Sequence, residues 1–69
     1  MIYWDKIAER AQAQFEGEPN TNQIAVRAPN DPSLIRPVME HLQHRLPEYH
    51  VTFNGENYNY NIYRRNRLV

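Results

Sequence analysis

Sixty-nine residues are enough for one domain and a thin core, because a chain this short buries only about 60% of the surface its unfolded form exposes. There is no cysteine, which excludes disulfides, a thiolate nucleophile and any sulfur-ligated metal. Eight basic side chains balance eight acidic ones, so the basic excess of a dedicated nucleic-acid binder is missing.

The first element predicted is an amphipathic helix over residues 4–16. Trp4, Ile7, Ala8, Ala11 and Phe15 recur at three- and four-residue spacing and form one apolar stripe, with Asp5, Glu9, Arg10, Gln12 and Gln14 largely off it. Gly17 stands where a left-handed cap belongs, and Pro19 forbids continuation. The N-terminus lacks the basic and apolar regions of a signal peptide, and no apolar run approaches membrane-spanning length. A soluble, cytoplasmic protein is expected (host cytoplasm if viral), with no membrane partner.

Residues 17–22 read as a turn, and Gln23-Ile24-Ala25-Val26-Arg27-Ala28 as a half-buried strand with Ile24 and Val26 facing inward. A second helix over 33–46 follows, its apolar stripe made by Leu34, Ile35, Val38, Met39, Leu42 and Leu46. Its start is open to two readings. Asp31 as cap with Pro32 at the first helical position leaves Pro37 inside the helix, whereas Ser33 as cap puts Pro37 harmlessly in the first turn. Pro47 ends it.

The last third predicts a hairpin over 49–63. Tyr49, Val51 and Phe53 alternate with polar residues, as do Tyr58, Tyr60 and Ile62. Asn54-Gly55 is a strong signal for a two-residue type I′ turn. That turn pairs Phe53 with Glu56, Val51 with Tyr58 and Tyr49 with Tyr60, and puts every large apolar side chain on one face. The expected architecture is a single α+β domain over 1–69 in the order α-β-α-β-β. It has a three-stranded mixed sheet, two helices on one face and a C-terminal Asn-Gly hairpin, with the last strand central.

Few residues invite chemistry. His41 and His44 stand one helical turn apart, but a zinc site needs three or four protein ligands. Ser33 is the only serine and reads as a cap, and neither glycine belongs to a phosphate-cradling loop. No enzyme activity, cofactor or metal is expected. The residues expected to meet a partner are Arg27, His50, Asn59, Asn61, Tyr63, Arg64, Arg65 and Arg67, on the polar sheet face and the arginine-rich end. Tyr3 and Trp4 are further anchor candidates. The sequence points first to another protein as partner. An accessory role fits, as inhibitor, adaptor or phage-type host modulator, with self-association through a sheet edge that few lysines or strand prolines block. The alternative is a nucleic-acid module using Arg27, Tyr63 and the C-terminal arginines, weakened because Tyr58 and Tyr60 point inward.

Overall fold

The computed structural model of the chain describes residues 2–65. Helix α1 spans Ile2–Gly17 and strand β1 Gln23–Arg27; a single 3₁₀ turn, Pro32–Leu34, leads into helix α2, Ile35–Arg45; strands β2, Tyr49–Asn54, and β3, Asn59–Arg64, complete the chain. None of these helices is long and apolar enough to cross a membrane.

The first reading holds for the cap, and of the second only the harmless place of Pro37 holds: Ser33 is not a cap, and Leu34, which precedes α2, makes no side-chain cap bond. Asp31 caps the 3₁₀ turn, its carboxylate accepting from Ser33 N at 3.0 Å and Ser33 Oγ at 2.8 Å, with Pro32 next in line. The α-helical winding begins only at Ile35, so Pro37 sits in the first turn, where N–H groups have no helical acceptor anyway. Helix α1 ends differently from expectation. Gly17 has no positive φ, and the ladder simply continues with Glu18 N donating to Gln14 O at 2.9 Å.

The strand order is β1-β3-β2, with β3 in the centre as expected. Both hydrogen-bonded pairs are antiparallel, so the sheet is not mixed: β1 and β2 point the same way, but β3 lies between them. The turn of the hairpin also differs. Strands β2 and β3 pair Phe53 with Tyr60, Val51 with Ile62 and Tyr49 with Arg64, joined by the four residues Gly55–Tyr58. Gly55 has no positive φ; the left-handed residue is Tyr58, at φ 55°. Asn54 acts through its side chain, its Oδ1 accepting from Glu56 N at 2.9 Å and Asn57 N at 3.4 Å. The observed register sets Tyr60 opposite Phe53 and Ile62 opposite Val51, with Tyr60 and Ile62 fully buried in the central strand. It differs from the expected register by four partners, an even number, so every side chain keeps its expected face.

One core results. Ala8, Ala11 and Phe15 of α1, Val38 and Leu42 of α2, and Leu46 are buried with Tyr49, Val51, Tyr60 and Ile62. Phe15 stacks on Tyr49 with ring centroids 4.5 Å apart, and Trp4 meets the edge of Tyr60 at 6.1 Å. Tyr60 Oη donates to Ile35 O at 2.6 Å, which gives the fully buried ring's hydroxyl a partner.

Candidate functional site

The face of the sheet turned away from Tyr60 carries three cross-strand rows: Gln23, Tyr63 and His50; Ala25, Asn61 and Thr52; Arg27, Asn59 and Asn54. Five of the expected contact residues therefore share one surface: Arg27, His50, Asn59, Asn61 and Tyr63. Arg64 does not join them. Its Nε donates to Thr21 O at 3.0 Å, its Nη2 to Phe15 O at 2.8 Å and Glu18 O at 3.2 Å, and its guanidinium lies 5.1 Å from the Phe15 ring centre. The cation closes the C-terminal end of α1, where unpaired carbonyls and the helix dipole favour it. It is committed to the fold. Arg65 is exposed beside a shallow depression of about 480 Å³ bordered by Glu40, His44 and Pro47. Arg67 lies outside the described residues. Of the N-terminal anchors, Tyr3 is exposed, whereas Trp4 packs against the core through Tyr60.

The histidines do not converge. His41 faces α1, with its Nε2 2.5 Å from Asp5 Oδ1, and Arg45 adds contacts at 3.7 Å to both Asp5 and Glu9. The hydrogen bond from His41 is the main reason that the Asp5 carboxyl lies below its ordinary pKa, with Arg45 reinforcing it. His44 and His50 are exposed. Among the described residues no three His, Cys, Asp or Glu side chains gather as a metal site would require.

The strongest asymmetry lies at the two edges of the sheet. Along β2 the groups of Tyr49 and Val51 point away from β3, and one side chain of α2 meets them. Gln43 Nε2 donates to Tyr49 O at 2.6 Å and Leu46 O at 3.0 Å, while its Oε1 accepts from Val51 N at 3.0 Å. The amide of Gln43 thus stands in for a fourth strand over that stretch.

Edge β1 has no such cover among the described residues. Arg64 N donates to Asn22 O and Ala28 N to Tyr58 O, so the even-numbered positions 22–28 bond to β3. By antiparallel alternation the N–H and C=O groups of Gln23, Ala25 and Arg27 point outward. Next to them runs a groove of about 230 Å³ whose apolar wall is Ile7, Ala11, Ile24 and Val26, with Arg10 and Gln14 on the rim. Ile24 and Val26 face the core side yet remain only half-buried. A second depression, about 450 Å³, continues past Ile7 to the exposed Tyr3. The sequence signal for this site was the absence of lysine and proline within the strand; the groove itself depends on where α1 lies.

Comparison with known proteins gave no match: no family model fits the chain, and no curated protein or solved structure is significantly similar to it.

Proposed function

We propose that this chain is a non-enzymatic binding protein that docks another polypeptide as an added strand on the β1 edge. The observation that carries the reading is the unequal treatment of the two edges. Both helices lie on the Tyr60 face: α2 packs along β2, and α1 meets β3 through Trp4 and Phe15, displaced from β1 by the open groove between Ile7 and Ile24–Val26. Phe15 of α1 reaches Tyr49 in β2, and Gln43 of α2 reaches around the β2 edge. That displacement leaves the inner side of β1 half-bare. A strand added there takes the free backbone groups of Gln23, Ala25 and Arg27 for affinity, and inserts alternate apolar side chains against Ile7, Ile24 and Val26 for selectivity. The outward polar rows then continue onto the added strand.

A titration with an extended peptide of alternating valine and threonine, followed by amide NMR, tests this. The expected result is shifts confined to Gln23–Arg27 and the facing side of α1, abolished by Ala25→Pro. Proline at 25 removes an N–H that bonds nothing inside the fold, so the melting temperature should hold. Shifts centred on the outer face, or none in β1, would sink the proposal.

A nucleic-acid reading has less support, since Arg64 is withdrawn from it and Tyr63 alone offers a ring on the polar face. It predicts oligonucleotide binding that strengthens as salt is lowered. No binding at low salt removes it.

A further inference from the structure

We infer that the strand received by the β1 edge is the β1 strand of a second copy of this chain, paired antiparallel about a two-fold axis through Ala25. The inference rests on the β1 edge being the docking site, and it names the occupant. The outward backbone groups occur at 23, 25 and 27, a set symmetric about its middle member. Rotation about Ala25 puts Ala25 against its own copy and Gln23 against the second copy's Arg27, so each free donor meets an acceptor. An isologous interface of this kind must be its own complement, and the residue that meets itself is the smallest in the strand.

Side chains agree with the backbone. On the polar face each Arg27 lies beside a glutamine amide, while the two Arg27 residues are four positions apart, about 14 Å. No like charges stand opposite each other. The formal net charge of the chain is zero, so two copies carry no long-range repulsion. On the core-facing side, Ile24 and Val26 of both copies close over each other and fill the half-bare strip. Helix α1 borders this strip, with Ile7, Arg10, Ala11 and Gln14 along the groove beside Ile24 and Val26, and leaves the groove open. It meets β3 and β2 through Trp4 on Tyr60 and Phe15 against Arg64 and Tyr49. From β3 to its copy across the axis are three strand spacings, about 14 Å, more than the 8–10 Å at which helices pack. The product is a continuous six-stranded antiparallel sheet whose outer edges are covered by Gln43 at Tyr49 and Val51.

Sedimentation of the full chain over rising concentration, with three variants, tests the pairing. The wild type should sediment at twice the chain mass. Ala25→Lys places two ammonium groups face to face on the axis without touching the backbone, and should raise the dimer dissociation constant at least tenfold while the monomer stays folded. Because the chain has no cysteine, Ala25→Cys offers one thiol per copy. The two thiols of a hydrogen-bonded antiparallel pair, its Cα atoms about 5.5 Å apart, are within reach of a short bifunctional thiol crosslinker, which should link the copies. Glu56→Cys, at the far tip of the hairpin, should stay unlinked. A wild type that remains monomeric at ~1 mM overturns the inference. So does a dimer indifferent to Ala25→Lys. In either case the peptide titration above still decides, on its own readout, whether the β1 edge docks another protein.

Discussion

Three carbonyl oxygens from the end of α1 and the loop after it converge on the guanidinium of Arg64. Removing that cation takes the guanidinium donor from Phe15 O and Thr21 O, leaves Glu18 O with Thr21 N alone, and uncovers the Phe15 ring. Arg64→Ala should therefore destabilise the fold by about 2–3 kcal/mol, as charge-assisted hydrogen bonds of this kind do, whereas Arg65→Ala should change stability by less than about 0.5 kcal/mol. Urea unfolding of the two variants reads the difference directly. In sequence the two arginines are adjacent and indistinguishable. What separates them is strand parity and a set of backbone acceptors 43 to 49 positions away. The glycines carry a similar lesson. Neither has a positive φ, an added Cβ at Gly17 meets nothing within 4 Å, and at Gly55 it makes ordinary contact with Phe53 at 3.8 Å. Gly17→Ala and Gly55→Ala should each raise stability by about 0.5–1 kcal/mol, chiefly by restricting the unfolded chain. A thermal melt that falls on Gly55→Ala would instead favour the two-residue turn.

At the level of elements, Gln43 joins α2 to β2 as firmly as apolar packing does. Its amide bonds three backbone groups: Tyr49 O and Val51 N, which the edge strand would otherwise leave to water, and Leu46 O, which also accepts from Tyr49 N. In Gln43→Leu the N–H of Val51 loses its acceptor, so its hydrogen exchange should accelerate at least tenfold while that of Ile62, in the central strand, changes little. Equal protection of Val51 in both proteins would mean that the edge is covered some other way. The elements themselves were largely legible: periodicity located both helices and all three strands, and alternation assigned the inner face correctly. The register was not. Asn54-Gly55 signals a two-residue turn, but Asn54 caps a longer one with its own side chain, and Tyr58 accepts the left-handed backbone because its ring packs edge-on against Phe53 at 5.5 Å. Tertiary packing of Tyr60 outweighed the local turn preference.

For the molecule as a whole, stability should be bounded on both sides of neutrality. Asp5 and Asp31 have carboxyls held below their ordinary pKa, Asp5 mainly by the His41 hydrogen bond and Asp31 by the Ser33 hydroxyl. A lowered carboxylate contributes stability that is complete above the unfolded value near 4 and is lost as pH falls through the folded value. Tyr60 is the opposite case. Burial, with a lesser push from Tyr58, raises its hydroxyl to about 12. Its contribution is complete below the unfolded value near 10 and is lost as pH rises from there toward about 12. The melting temperature should thus be flat through neutral pH and drop at both ends, with His41→Ala flattening the acid limb and Tyr60→Phe the alkaline one. How the helices sit across the sheet lay beyond the sequence, because it depends on contacts such as Phe15 with Tyr49 that no local pattern encodes.

The central position of β3 has a consequence in time as well as in space. Its pairing with β2 closes from Asn54 to Asn59, five positions apart, whereas its pairing with β1 closes from Arg27 to Asn59, thirty-two apart. Loop-closure entropy makes the first contact quick and the second slow, and among the described residues β1 pairs with no other strand. The hairpin with α2 is therefore the natural nucleus, and β1 docks late. During that interval the vacant side of β3 and the free β1 strand of two chains are exposed together. Where β1 comes from another chain, the product is an exchanged dimer rather than an edge-paired one, so the rate at which β1 docks sets how much of the chain reaches the second form at high concentration.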